Sequence, residues 1–549
     1  MTRLIECVPN FSEGRDPAVI RQITDAIVAV DGVRLLNVDP GRATNRTVVT
    51  FVGEPDAVIE AAFRAIRKAG EVIDMRQHHG EHPRMGATDV CPLIPISGVT
   101  MDEVARYAQQ LAERVGRELD LPVYLYEAAQ PDPARSNLSV IRAGEYEGLA
   151  AKMQRPEWRP DHGPVAFDAK RGATVIGARD FLVAYNINLN TTSTRRAYAI
   201  AFDVREAGRT VKDESGGEAN RPGTLKSVKA IGWFIDEYGI AQVSMNLTDI
   251  NVTPVHAAFD EVCRAADARG VRVTGSELIG LVPLRCLTDA GKYFLQKQQR
   301  STGVSEAELV RIAVRSLGLD ELTPFDPEQR IIEYLLRDMA SAPLVSMTLG
   351  DFTRETASES AAPGGGSIAA TLGAFGAALG TMVANLSSHR RGWDDRWQEF
   401  SDHAEAGQRA TTELLRLVDE DTAAFTRVMD AFGLPKETAA EKAARTEAIQ
   451  EATKAATLVP FRVMEVAWES MALIRTMAEV GQETSVSDAG VAALSARSAV
   501  IGAFLNVRIN AAQLTDRAFA DDLLARGADI ERQAREAERE ILEIVDRRL

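Results

Sequence analysis

An imidazole, a guanidinium and a carboxylate fall within one polar stretch, Gly80-Glu81-His82-Pro83-Arg84-Met85-Gly86-Ala87-Thr88-Asp89-Val90-Cys91-Pro92. It is too polar for a core and too rich in glycine and proline for a helix, so it reads as a site loop. Pro83 biases His82 to an extended conformation, and Gly80 and Gly86 let the chain bend where side chains would clash. An imidazole held there can act as a general acid or base near neutral pH. The competing reading makes His78, His79 and His82 solvated loop histidines or a partial metal set. No cysteine or carboxylate stands at a metal-ligand spacing, so no metal is expected.

Groups able to converge on His82 flank the turn Pro40-Gly41-Arg42-Ala43-Thr44. Asp39 ends one strand pattern and Asn45-Arg46 opens the next. Carboxylate, amide and guanidinium beside an imidazole form an acid/base set with an anion clamp; a well hydrogen-bonded turn with a surface arginine is the alternative. A second chemistry lies downstream. Pro363-Gly364-Gly365-Gly366-Ser367 precedes a long helix whose free N–H groups form an anion-binding end, although it lacks the continuation of a phosphate loop and alone reads as a helix-entry turn. Spacing of three and four puts Leu414, Val418, Asp421, Phe425 and Val428 on one helical face, with Asp419 roughly opposite. A carboxylate on a core-facing stripe is costly unless it is hydrogen-bonded or lines a site. Burial would raise its pKa and suit it to acid/base work; a satisfied interhelical carboxylate is the alternative.

The elements that must position these groups change character along the chain. Residues 1–180 alternate strand and helix patterns, and residues 181–326 restart the same logic, which predicts two ferredoxin-like α/β sandwich subdomains. In the second, Ala197–Val204 reads as a strand, Leu225–Ile231 as a helix, and the polar, glycine-rich residues 206–222 as a mobile loop. Residues 327–347 read as a linker, with a hinge over 338–347. From residue 348 to 549 every strand signal disappears, and Ala, Leu, Glu and Arg at helical spacing predict an all-α bundle.

At 549 residues the chain exceeds one core, and its net charge of −16 with no long basic run argues against nucleic acid as a partner. Cys7, Cys91, Cys263 and Cys286 show no short paired spacing and no secretory leader precedes them, so reduced thiols in a cytoplasmic protein are expected. The apolar run Ile368–Leu386 is rich in Ala and Gly and reads as a packed helix rather than a membrane span.

The opening Val8-Pro9-Asn10-Phe11-Ser12-Glu13-Gly14, the His82 loop and the Pro363–Ser367 segment together resemble the formimidoyltransferase-cyclodeaminase family, two-domain folate enzymes of histidine breakdown, over nearly the whole chain. The resemblance implies that His82 is the acid/base residue of formimino transfer from N-formimino-L-glutamate to tetrahydrofolate, with Asp39, Arg46 and Asn10 lining its cleft. The family's folate loop falls on Gly163, Pro164, Val165, Ala166, Phe167, Asp168, Ala169, Lys170, Arg171 and Gly172. A second folate contact falls on Asp203, where an amide is expected. Gly364, Gly365 and Gly366 match the glycine signature of the cyclodeaminase domain, and Asp421 its proposed catalytic residue, serving closure of 5-formimidoyl-tetrahydrofolate to 5,10-methenyl-tetrahydrofolate with release of ammonia. Tetrahydrofolate, expected in polyglutamylated form, is then a co-substrate, and homo-oligomers are expected. Two alternatives stay open for the helical half: a methenyl-tetrahydrofolate cyclohydrolase, or an oligomerisation scaffold.

Overall fold

The computed structural model describes residues 3–42, 44–80, 83–212, 218–336, 344–360 and 362–549. It divides into two compact units, Met1–Cys286 with Leu317–Leu336, and Leu287–Ser316 with Arg337–Leu549. The expected hinge at 338–347 lies largely outside the described residues.

In the first unit, β1 (Leu4–Cys7) and β2 (Asn10–Phe11) run in one lane, followed by α1 (Pro17–Val28), β3 (Val33–Gly41), β4 (Arg46–Gly53), α2 (Pro55–Val72) and β5 (Thr88–Ser97). The lanes order β3, β4, β1/β2, β5, all antiparallel, which is the ferredoxin-like βαββαβ arrangement. Then come α3 (Met101–Glu118), β6 (Val123–Glu127), α4 (Leu138–Ile141), α5 (Glu145–Met153) and β7 (Thr174–Ala178), with β7 and β6 extending the sheet in parallel beyond β5. Thr100 and Glu103 close α3 with a reciprocal capping box. One sheet face buries Ile5, Cys7, Phe51 and Leu93 against α1, α2 and α3. On the other, Val90, Tyr124 and Val175 pack against Ile141, Leu149 and Met153 of α4 and α5.

The second half repeats the βαββαβ order as β8 (Val183–Leu189), α6 (Thr194–Val204), β11 (Val228–Ile235), β12 (Ile240–Leu247), α7 (Val255–Asp267) and β13 (Val273–Ile279), in lanes β11, β12, β8, β13. A hairpin, β9 (Arg209–Lys212) and β10 (Glu218–Arg221), is inserted after α6. Three expectations are corrected here. Residues 197–204 are helical: Ala197, Ile200, Ala201 and Val204 are the buried positions, spaced three and four apart, and the Ser193 side chain caps the helix. The apparent alternation of Ala and bulkier residues mimicked a strand. Residues 228–235 form a strand, with Val228, Ala230 and Gly232 buried at period two. Within residues 206–222, Arg209–Lys212 and Glu218–Arg221 pair as the β9–β10 hairpin.

The second unit is helical. It holds residues 287–316, drawn from α8 (Leu284–Lys297) and α9 (Glu306–Leu317), while the short α10 (Pro327–Arg330) and α11 (Ile332–Leu336) belong to the first unit. After α12 (Leu349–Thr356) come five long helices: α13 (Gly365–Ser388), α14 (Trp397–Gly433), α15 (Ala439–Val480), α16 (Val486–Ala511) and α17 (Arg517–Arg548). Small residues let α13 and α16 approach closely, with Ala370, Ala374, Ala377, Ala492, Ala496 and Ala499 in one core. Pro460 lies inside α15 without ending it. Proline has no N–H and leaves the carbonyl four residues back without its helical donor; Asn510 Nδ2 of α16 donates to that oxygen, Ala456 O, at 2.9 Å.

Candidate active sites

His82 lies outside the described residues, but the loop around it is anchored on both sides. Gly86 forms a bridge with Gly172, Ala87 N donates to Arg171 O at 2.8 Å, and Ala173 N donates to Met85 O at 3.1 Å. A Cβ at Gly172, whose φ is +71°, would stand 2.2 Å from Met85 O, so this contact between the His82 loop and the 163–172 loop requires glycine. Upstream, His78 Nε2 lies 2.8 Å from Asn45 O and Arg84 Nε donates to His78 Nδ1 at 3.3 Å. That pattern assigns the proton to Nε2 and keeps the ring neutral; burial also holds its pKa below the usual histidine value. Arg84 is pinned in turn by Glu147 at 2.7 Å and Glu145 at 3.3 Å.

Asp39 and Asn10 both stand opposite Val48, so the three form one cross-strand row, and Arg46 follows on the same face of β4 two residues away. Arg46 Nε donates to Asn10 Oδ1 at 3.0 Å. Asp39 is exposed and has no side-chain hydrogen bond among the described residues. The group that does meet Arg46 is Asp89, which is fully buried. Asn10 pairs with Val90 and Phe11 with Thr88, leaving Asp89 as the extra residue of a β-bulge; a bulge re-aims the side chain it carries. Asp89 Oδ2 accepts from Arg46 Nη1 and from Arg142 Nη2 at 2.6 Å, and Oδ1 accepts from Arg142 Nε at 3.2 Å and Met85 N at 3.0 Å. Burial works to raise the Asp89 pKa, but the two guanidiniums outweigh it and the carboxyl stays below its ordinary range. Elsewhere on this sheet Glu6 is buried with weaker help from Arg179, and burial pushes it up to about 7.

In the 163–172 loop the cations are engaged by helix ends. Arg171 donates to Leu119 O at 2.6 Å and Asp120 O at 3.0 Å and pairs with Asp168, and Lys170 Nζ donates to Glu71 O at 2.9 Å. Cations at helix C-termini satisfy carbonyls left over by the helix. Phe167 lies against Tyr146, ring centroids 5.6 Å apart. Asp203, in the last turn of α6, is ion-paired with Arg269 and with Arg209 of the β9–β10 hairpin. Beside the Pro40 turn, Arg15, Arg21 and Arg42 line a cavity of about 530 Å³.

In the helical unit, Asp421 of α14 meets the N-terminus of α13. Its Oδ2 accepts from Ser367 Oγ at 3.0 Å. A Cβ at Gly366 would fall 2.2 Å from Asp421 Oδ1, and one at Gly365 would fall 3.3 Å from Asn506 Nδ2 of α16, so glycines 365 and 366 let a carboxylate and an amide reach the helix end. Burial raises the Asp421 pKa, and the Ser367 hydrogen bonds only partly oppose it. A carboxyl that can gain and lose a proton here suits acid/base chemistry. Leu414 and Val418 are buried as expected and Asp421 is half-buried beside them, but Phe425 is exposed and Ala424 is the next buried position. Asp419 points elsewhere and accepts from Leu344 N at 2.6 Å. Arg390 and Arg396 stack on Trp393, centroids 4.4 and 5.0 Å away, as a closed turn.

Sequence reasoning missed Asp89, Arg142 and Ser367 as site residues. Asp89 and Ser367 lay inside the quoted motifs; Arg142 had no local signal, because only the fold brings it to the bulge.

Residues 4–179 match the model of the formiminotransferase domain, N-terminal subdomain; residues 184–337 match the formiminotransferase domain; residues 348–529 match formiminotransferase-cyclodeaminase. A formimidoyltransferase-cyclodeaminase of Rattus norvegicus is 44% identical over 536 residues, 97% of each chain. A glutamate formimidoyltransferase of Thermoplasma acidophilum is 44% identical over 295 residues, 53% of this chain and 92% of its own. A methenyltetrahydrofolate cyclohydrolase of Methylorubrum extorquens is 42% identical over 177 residues, 32% of this chain and 85% of its own.

Proposed function

The chain belongs to the formiminotransferase-cyclodeaminase family, and from that membership we propose its work: it moves the formimino group from N-formimino-L-glutamate to N5 of tetrahydrofolate, then closes the product to 5,10-methenyl-tetrahydrofolate and releases ammonia. These are folate-dependent steps of histidine degradation. In the first, the N5 amine adds to the amidine carbon and gives its proton to His82, which hands a proton to the glutamate nitrogen as the bond from that nitrogen to the amidine carbon breaks. Arg46, with Asn10 and Asp39 on its sheet face, orients the anionic donor. In the second, N10 attacks the formimino carbon, and Asp421, held by Ser367, takes the N10 proton and returns one to the departing ammonia. The observation that carries this reading is a half-buried Asp421, its pKa raised by desolvation, seated against a glycine helix entry in the same chain as the Arg46 cluster.

The folate is proposed to be polyglutamylated. Arg15, Arg21 and Arg42 supply a basic cavity in which none is ion-paired among the described residues, suited to successive carboxylates. Residues 163–172 and Asp203 are the proposed folate contacts, with Phe167 the ring available for stacking. We propose homo-oligomers in the cytoplasm. Val491, Leu494, Leu505 and Ile509 are all exposed and fall within one narrow sector of α16 at about 100° per residue, an apolar stripe of the kind that subunit contacts cover.

The test is to supply N-formimino-L-glutamate and tetrahydrofolate and follow glutamate, ammonia and methenyl-tetrahydrofolate together. Equal appearance of all three is expected, with His82→Ala abolishing all of it; a His82→Ala protein that transfers at full rate removes the assignment. A second reading, cyclohydrolase chemistry in the helical half, draws on the Methylorubrum extorquens relative. Hydrolysis of methenyl-tetrahydrofolate without ammonia release would favour it.

A further inference from the structure

Within the ion-pair triad at the β5 bulge two arginines meet one carboxylate. Arg84 faces two carboxylates, Glu145 and Glu147, whereas Arg46 and Arg142 share the single carboxylate of Asp89. Asp89 is fully buried and both arginine side chains are at most 14% exposed, so among the described residues the Arg46–Asp89–Arg142 triad carries one more positive than negative charge in a partly desolvated place. Such a charge is costly without a partner. The hydrogen bonds also leave donors over. Arg46 uses Nε on Asn10 and Nη1 on Asp89, and Arg142 uses Nε and Nη2 on Asp89. Arg46 Nη2 and Arg142 Nη1 have no hydrogen-bond partner among the described residues.

The cluster is also held rigidly. Asp89 is fixed by the bulge and by Met85 N. Arg142 follows α4 directly, and the carbonyls around it are gathered by Lys152, whose Nζ donates to Val140 O at 2.9 Å, Ile141 O at 2.6 Å and Ala143 O at 3.1 Å. Lys152 is itself buried, so the turn bearing Arg142 is braced from inside the α4–α5 layer. A fixed pair of guanidiniums with spare N–H groups matches a planar carboxylate.

We propose that Arg46 and Arg142 are the two prongs of a receptor for one carboxylate of the donor's glutamate moiety, and that Asp89 is the positioning residue that splays them toward it. The proposal rests on the transferase reading and adds Arg142 and Asp89 to it. One carboxylate neutralises the excess charge, and the receptor explains recognition of an amino-acid donor apart from its formimino group. It also predicts that the product L-glutamate binds in the same place.

The variants are Arg142→Gln, Arg142→Lys and Asp89→Asn in the full chain. For Arg142→Gln, KM for N-formimino-L-glutamate should rise by about tenfold to a hundredfold, the range for losing hydrogen bonds to a charged group, while KM for tetrahydrofolate stays within about twofold. L-glutamate affinity measured by calorimetry should fall in parallel. Arg142→Lys keeps the charge but not the fork and should fall between wild type and Arg142→Gln. Guanidinium ion added to Arg142→Gln should restore part of the rate at low donor concentration. Asp89→Asn should loosen both prongs and raise the same KM. Cyclisation of supplied 5-formimidoyl-tetrahydrofolate reports on folding of the helical half, and the thermal midpoint on the α/β half. Equal rises in both KM values, or unchanged L-glutamate affinity in a folded Arg142→Gln protein, overturn the proposal while leaving the transferase reading in place. A wild-type protein that neither transfers nor binds L-glutamate overturns both.

Discussion

Gly366→Ala separates the position of Asp421 from the stability of the bundle. A Cβ at Gly366 falls 2.2 Å from Asp421 Oδ1 and 2.6 Å from its Cγ and Oδ2, where ordinary contact begins at 3.4 Å. The carboxylate must therefore retreat by about 1 Å, by rotating from its present rotamer or by shifting α14. A displacement of that size at a reacting group costs roughly a hundredfold in rate. The helix gains from the same change, because alanine is favoured over glycine by about 1 kcal/mol in a helix, while an off-rotamer aspartate costs about 1 kcal/mol. The two nearly cancel, so the thermal midpoint should stay close to wild type while cyclisation collapses. The assay is ammonia release from supplied 5-formimidoyl-tetrahydrofolate, beside a calorimetric melt and formimino transfer measured alone. Gly433→Ala is the control, since nothing lies within 4 Å of a Cβ there. Cyclisation within about twofold of wild type in Gly366→Ala would refute the reasoning.

Ser367→Ala removes the hydroxyl hydrogen bond that favours the charged form of Asp421 and leaves the backbone one, so the acidic limb of the cyclisation pH profile should move to higher pH; an unmoved limb removes Asp421 from the titration. Asn510→Leu should destabilise the helical unit by about 1–3 kcal/mol, because Ala456 O then loses its donor opposite Pro460. Adding Pro460→Ala restores an N–H and should recover most of that loss in a denaturant melt, and strict additivity of the two changes would contradict the explanation. Burial pushes the Glu6 carboxyl up to about 7 from its ordinary value of 4.5. Its folded form retains a proton that the unfolded chain releases between those values, so its favourable share of stability is present below about 4.5 and is lost as pH rises through about 7. Glu6→Gln should therefore gain up to about 3 kcal/mol on wild type between pH 4.5 and pH 8, and an advantage independent of pH would count against the burial argument.

Much of this fold can be read from local pattern. The βαβ rhythm of the first half, the Thr100 cap and the loss of strand signals after residue 348 all reflect periodicity and capping, which short windows carry. The errors at 197–204 and 228–235 came from small residues. Ala and Gly fit either period, and only the sheet and helix contacts around Ala197 and Gly232 decide between them. Asp421 was legible because a carboxylate on an apolar stripe stands out. Asp89 was quoted but passed over, since a bulge is a property of pairing between β2 and β5 and not of either strand. Arg142 meets Asp89 across 53 residues of chain, and no spacing rule reaches that far. Lys170 and Arg171 had the right type for an anion site, yet the nearby ends of α2 and α3 use them first.

The central claim is that one chain carries two separable steps at two sites, and Asp421→Asn tests it most directly. With N-formimino-L-glutamate and tetrahydrofolate supplied, the variant should release glutamate at close to the wild-type rate while ammonia release stops and 5-formimidoyl-tetrahydrofolate accumulates one for one with glutamate. Ammonia still appearing in step with glutamate, or glutamate release lost together with ammonia in a folded Asp421→Asn protein, would contradict it.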